Sequence, residues 1–348
     1  MKLISLPYAL CAYSLPHTLG YLPTLDGLPN PDPRSLHALV DIAVQRGLSG
    51  VEFPLAAVVP SFDGKSAVTA GADEELLATV RSQKLTLIAD YGSLLEHEAA
   101  HLAAYLHRSA KAGATTVRAT LSHLLCGDRR SLPGGWPLYF DALVQRLRAV
   151  LPIAEELGIA LAVENHQDVT SADLIDLYVD SGSSPAFGVT LDTGNPLAVA
   201  EDPVEFTTRI GTLIRHVHLK DYTVYTAPNG YRLVRCAAGD GVIDFPAILQ
   251  IVRGNGHAIL PSIEIAAQAT RTIPILESTW WDHHRPEQTR QLIAALRLVW
   301  SRSFAPEVPY SSAWERGESS EAVVRDEWDV VQRSIDYFAR LPLGSVKE

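Results

Sequence analysis

Short apolar runs alternate along the chain with longer stretches whose apolar residues recur every three or four positions. The runs are rich in Val, Ile, Leu and Thr. They predict strands over Leu3 to Leu6, Gly50 to Phe53, Leu85 to Tyr91, Thr116 to Thr120, Ile159 to Asn165, Phe187 to Asp192, His216 to Lys220 and Ile259 to Ile265. Nearly continuous apolar character marks strands buried on both faces, as in a parallel sheet. The longer stretches predict helices over Pro33 to Gln45, Glu96 to Ala112, Asp141 to Leu157, Ser171 to Val179, Asp244 to Val252 and Pro286 to Val299. In the first of these, Leu36, Leu39, Val40 and Ala43 form one apolar stripe. Gly158 stands where the third should stop. Ser171 and Asp173 suit the start of the fourth, by capping and by charge against the helix dipole.

Eight strands with helices between them predict a (β/α)8 TIM barrel, α/β in class. An open doubly wound sheet would carry a Gly-rich phosphate loop after an early strand, and the sequence has none. The barrel is expected over residues 1–303. A C-terminal helical extension over 304–348 begins Ser/Glu-rich and resumes as a helix from Glu321 to Leu341.

Composition narrows the partners. The chain has 348 residues, 47% hydrophobic and 20% charged, which is ample for a large core in one barrel. A formal net charge of -11 disfavours nucleic acid and anionic membranes, whose phosphates call for Lys and Arg. No apolar run is long enough to span a bilayer. Cys11, Cys126 and Cys236 lie far apart and read as reduced thiols of a cytoplasmic protein. Met1 to Cys11 reads as the first strand rather than a signal peptide: it has a single Lys, Pro7 interrupts the apolar run, and no small-residue cleavage site follows.

Chemistry in such a barrel belongs at the C-terminal ends of the strands. The fifth ends in Glu164-Asn165-His166 and the sixth in Asp192-Thr193-Gly194-Asn195. The seventh reads His216-Val217-His218-Leu219-Lys220-Asp221, and the eighth contains Glu264. One acidic strand end commonly caps a loop. Four consecutive ends with Glu, Asp, His and Glu are better explained by a divalent cation that removes the repulsion among three carboxylates. Such mixed donors suit Mn, Mg, Co or Zn and leave positions open for substrate oxygens.

These strand ends, with Gly239-Asp240-Gly241-Val242-Ile243-Asp244-Phe245, resemble those of the xylose isomerase-like TIM-barrel superfamily, over most of residues 1 to 300. That superfamily includes sugar epimerases such as tagatose 3-epimerase, inosose dehydratase and endonuclease IV. The resemblance implies Glu164, Asp192, His218 and Glu264 as metal ligands, with Mn2+ the first choice of ion. His218 is taken over His216 because the second His of the pair is the ligand in the epimerases. It also implies that Glu164 and Glu264 shuttle protons beside a carbonyl whose enediolate the metal stabilises.

Around this set, His166 follows Glu164 by two residues and is expected on the same side as a catalytic acid or a substrate contact. Lys220, Arg235, Asn195, Glu52 and Trp281 are the expected substrate contacts. Asn195 stands where tagatose-type epimerases have a His, which points to another substrate or proton donor. Trp280, Trp281, His283 and His284 could form a loop over the mouth, with Trp136 a weaker lid candidate.

The expected function is an isomerase or epimerase of a small keto-sugar, sugar acid or cyclitol. The alternative is a lyase on the same scaffold: a dehydratase, a β-keto acid decarboxylase, or an enzyme cleaving an oxidised C-glycoside. A DNA endonuclease fits poorly, since further His and Asp ligands are missing and the charge opposes it. A non-catalytic sugar-binding module would not need three carboxylates. The partner expected is a small carbohydrate-like molecule, with a homo-oligomer or a small partner subunit left open.

Overall fold

The computed structural model describes residues 6–55, 58–60, 66–68, 72–265, 268–285, 289–303 and 311–341. Eight parallel strands close into a barrel: β1 Leu6–Cys11, β2 Leu48–Pro54, β3 Thr86–Ser93, β4 Thr116–Thr120, β5 Ala160–Glu164, β6 Phe187–Asp192, β7 Ile214–Leu219 and β8 Ser262–Ile263. Each pairs with its sequence neighbours, and β8 returns to β1 through Ala9↔Ser262 and Leu10↔Ile263. Seven strands fall close to their predicted places. The first does not: it runs from Leu6 to Cys11, and Leu3 to Ser5 lie outside the described residues. Pro7 sits inside it, at an irregularity of the β1–β2 register between Leu6 and Ala9, where a residue without an N–H is tolerated.

The helices are α1 Leu36–Gln45, α2 Glu74–Ser82, α3 Ala99–Ala112, α4 Gly135–Glu156, α5 Ser171–Asp180, α6 Pro203–Ile210, α7 Phe245–Arg253, α8 Thr289–Arg302 and α9 Ser320–Arg340. The sequence reading missed α2 and α6. Both are short, and both are capped by an Asp, at Asp73 and Asp202. α5 is capped by Thr170, whose hydroxyl accepts from Asp173 N–H while Asp173 answers at Thr170 N–H, so Ser171 is the first helical residue and not the cap. Gly158 follows α4 at φ +65°, a left-handed backbone that ends the helix as expected.

Two further features shape the mouth. Asp221–Ala227 and Gly230–Cys236 form an antiparallel hairpin after β7, and Arg271–Ile273 adds a third strand from the connection after β8. α9 packs on the barrel through Val323, Val330, Val331, Ile335 and Phe338, with the Phe338 ring 5.0 Å from Tyr8 and 5.1 Å from Phe245. Glu327, fully buried on the same face, accepts from the backbone N–H groups of His17 and Thr18, from the Thr18 hydroxyl and from Gln268 Nε2, at 2.7–2.8 Å. The extension is thereby bonded to the loop after β1 and to the loop that follows Glu264. No described helix is long and apolar enough to cross a membrane.

Candidate metal and substrate site

Barrel register brings the strand ends together. Asp192 pairs with His218 across β6 and β7, and Glu164 lies beside Thr190 across β5 and β6. Donor atoms of Glu164, Asp192 and His218, all buried, lie within 4.8 Å of one another. Glu264 is not in that set. Its carboxylate is tied to Asp192 by Lys220, whose Nζ is 2.6 Å from Glu264 Oε2 and 2.7 Å from Asp192 Oδ2. Asp192 Oδ1 accepts from the backbone N–H groups of Gly194 and Asn195, which fixes its carboxylate from behind.

His218 is held from both sides. Its Nε2 is 2.7 Å from Glu52 Oε1, and its Nδ1 is 3.7 Å from Glu164 Oε1 with no hydrogen-bond partner. Glu52 also takes His216 Nε2, at 2.9 Å on its other oxygen. Both Glu52 oxygens are therefore engaged with imidazoles and the residue is fully buried. Glu52, expected as a substrate contact, stands behind the imidazole of His218, the place carboxylates take behind metal-bound histidines.

Two residues absent from the sequence reading complete the cluster. Arg118, on β4, forms an ion pair with Glu164, and its Nη1 lies 3.9 Å from Asp90 on β3. The connected network holds five carboxylates, Glu52, Asp90, Glu164, Asp192 and Glu264, against two cations, Arg118 and Lys220. Were every carboxylate ionised and both histidines neutral, three negative charges would be left uncompensated in a buried space; that cost drives protons onto the cluster.

The titration of the cluster reports that deficit. Burial and the Glu52 charge push Asp90 well above the usual carboxylate range. Burial pushes Asp192 up to about 6 despite Lys220. Burial opposes charge on His218, but Glu52 and Glu164 outweigh it and raise the imidazole well above its ordinary value. Glu164 is driven the other way: burial disfavours its charge, but Arg118 and then His218 hold it well below the usual range. Glu52 and Glu164 thus favour a proton on His218. A divalent cation bound there would displace that proton, and the donor set, two carboxylates and an imidazole nitrogen without another partner, fits one.

His166 stands at the rim, partly exposed, with Nδ1 lacking a hydrogen-bond partner, and burial pushes its imidazole down to about 3, so it is neutral. Asn195 is buried near Tyr222, whose hydroxyl is 3.5 Å from Asn195 Oδ1, and Nδ2 has no partner. Arg235 donates from Nη2 to Gln268 and pairs with Asp326 of α9, so part of its guanidinium is already committed to the extension. Trp281 donates to the Ile275 carbonyl and packs edge-on against Trp280, which stacks on His284 and donates to the Cys126 carbonyl. The interactions of Trp281 are thus with a plug of side chains against the loop after β4. Trp136 belongs there too, under the guanidinium of Arg129, 3.8 Å from its ring centre.

The eight strands close into a TIM barrel with a cluster of carboxylates and imidazoles at their C-terminal ends, and the chain belongs to the family of xylose isomerase-like TIM barrels, whose model matches residues 40–299. Among curated proteins, it is 32% identical over 149 residues to 3-oxo-isoapionate decarboxylase of Pectobacterium atrosepticum, covering 41% of this chain and 54% of that one. It is 26% identical over 95 residues to the uncharacterized protein YihM of Escherichia coli, covering 27% of this chain and 29% of that one. The matches therefore span about half or less of those relatives' lengths. Among solved structures, D-psicose 3-epimerase with D-tagatose from Clostridium cellulolyticum superposes with a TM-score of 0.56 at 13% identity, over 95% of this chain and 98% of that one. The IOLI protein with a bound zinc atom gives 0.52 at 14%, over 85% and 98%. At such identities the structural likenesses speak for the fold alone.

Proposed function

We propose that this protein is a divalent-metal-dependent enzyme that forms an enolate from a small polyhydroxylated carbonyl compound, and that it works as a lyase, a β-keto acid decarboxylase, rather than as an epimerase. Glu164, Asp192 and His218 would hold the ion, with Glu264 the fourth ligand expected. When bound, the ion supplies electrophilic stabilisation to the oxyanion that develops on the substrate.

The observation that carries the lyase reading is the pairing of both candidate shuttle carboxylates with buried cations. An epimerase must remove a carbon-bound proton with a carboxylate. Glu164, held ionised by Arg118, is a weak base for that task. Decarboxylation needs no such base. The bond to the carboxylate carbon breaks, its electron pair passes into the enolate, CO2 leaves, and one proton is then returned to the remaining carbon. The pair of Lys220 Nζ and Glu264 Oε2, 2.6 Å apart, would relay that proton from solvent. Glu52 keeps His218 in its orientation, and Arg118 keeps Glu164 in its charged form. The partial likeness to a decarboxylase supports the same choice.

The test is to incubate Mn-loaded protein with a panel of β-keto sugar acids and neutral ketoses in heavy water and follow the products by NMR. CO2 release, with one deuterium placed on the retained carbon, is expected. Interconversion of neutral ketose epimers with deuterium exchange and no CO2 would favour the epimerase reading.

A further inference from the structure

Assigning His218 to the metal leaves over the first imidazole of the His216-Val217-His218 pair. The two histidines stand two residues apart on β7, so their side chains share the face that looks into the barrel. His216 is buried, and its ring lies 5.2 Å from that of His218 and nearly perpendicular to it. Among the described residues it belongs to no group of donor atoms close enough to share a cation. A further metal ligand is therefore not its role.

Its contact is with Glu52. Nε2 of His216 is 2.9 Å from Glu52 Oε2, and Nε2 of His218 is 2.7 Å from Glu52 Oε1. The carboxylate reaches these imidazoles from β2, which β8 and β1 separate from β7 around the barrel. The last torsion of a glutamate is broad, so one bond at one oxygen leaves the carboxylate free to turn. The second bond, at the opposite oxygen, fixes its plane. Glu52 is fully buried, so bulk water is not at hand to replace a lost donor. An Oε2 left without a partner would be a costly buried acceptor, and the carboxylate would turn to find another donor.

We propose that His216 is a positioning residue for the metal: it holds Glu52 by the far oxygen, Glu52 thereby holds His218, and the affinity of the site for its cation depends on all three. This rests on the metal reading above and carries it one layer outward, from the ligand and the carboxylate behind it to the imidazole behind both. Partners of metal-bound histidines typically set 10–100-fold in affinity, and a residue one step further out should reach the low end, about tenfold.

The experiment is electron paramagnetic resonance titration of free Mn2+ against the wild type, His216→Leu, His216→Gln, Glu52→Gln and the double variant Glu52→Gln/His216→Leu. His216→Leu is expected to bind Mn2+ about tenfold more weakly. His216→Gln places an amide N–H close to where the imidazole Nε2 stood, and it should recover most of the loss. In the Glu52→Gln background, His216→Leu should change the affinity less than about twofold, because the residue it acts through is already altered. The visible bands of the Co2+-loaded protein should shift in His216→Leu and return in His216→Gln, a signature of ligand geometry that a loss of packing alone would not reverse. If His216→Leu fails to fold, His216→Asn, whose amide falls short of Glu52, takes its place. Wild-type affinity or tighter binding in the variant without the donor, no recovery in His216→Gln, or an equal loss with and without Glu52 would each overturn the proposal while leaving the metal site in place. Absence of Mn2+ binding by the wild type would instead reject the metal reading, and the role of His216 with it.

Discussion

Lys220→Met probes the charge balance of the site directly. The ammonium lies 2.7 Å from Asp192 and 2.6 Å from Glu264, so the two carboxylate oxygens it separates are at most about 5 Å apart. At an effective dielectric of about 20, each attraction is worth roughly 6 kcal/mol before desolvation. Relief of the buried ammonium offsets much of this, and removal of one partner from a buried pair typically costs about 3–5 kcal/mol. For a chain of 348 residues, unfolding entropy near 2.1 cal/mol/K per residue gives roughly 0.7 kcal/mol/K, so the metal-free variant should melt about 4–7 °C below the wild type. Saturating Mn2+ replaces the missing positive charge, and the deficit should shrink to about half or less. The assay is calorimetric melting in EDTA and in excess Mn2+. Equal deficits in the two conditions would show that Lys220 and the cation do not share one electrostatic site, and no deficit in EDTA would refute the charge count itself.

Other outcomes follow from the same geometry. Glu52→Gln should weaken Mn2+ binding by about 10–100-fold without unfolding the barrel, measured by electron paramagnetic resonance titration of free Mn2+. Because His218 is raised well above its ordinary value, Mn2+ binding should release a proton and weaken as pH falls, which calorimetry in buffers of different ionisation enthalpy detects. His218 and Asp168, the latter pushed up to about 7 by burial, both bind protons more tightly in the folded state. Their contributions to stability are complete below their unfolded values and are lost as pH rises through the folded ones, so metal-free protein should melt higher at pH 6 than at pH 8. Phe338→Ala should cost about 3–5 kcal/mol by opening a cavity between α9 and the barrel, seen as a drop of about 4–7 °C in melting temperature.

Much of the fold can be read from the chain because parallel strands buried on both faces leave plain apolar runs, and because Glu164, Asp192, His218 and Glu264 all interrupt or end such runs. Other parts depended on context. Pro7 reads as a breaker, yet the barrel accommodates it at a register irregularity. The hairpin after β7 has a turn signal in Asn229-Gly230 between two β-rich runs, but its strands pair with each other and with Arg271–Ile273 rather than with the barrel, so the alternation of strands and helices does not reveal it. Arg118 and Asp90 each left a trace as a lone charge in an apolar strand, but their partners lie on other strands, and only closure of the barrel joins them. Glu52 showed its acidity at the end of β2. That it faces two histidines of β7 is a property of the closed barrel, not of local sequence.

The central claim is that one divalent cation belongs among Glu164, Asp192 and His218. Anomalous diffraction from a crystal grown with Mn2+ tests it most directly. A single strong peak is expected about 2.0–2.3 Å from a carboxylate oxygen of each acid and from His218 Nδ1. A peak elsewhere on the molecule, or density at this position that shows no anomalous signal at millimolar Mn2+, would contradict it.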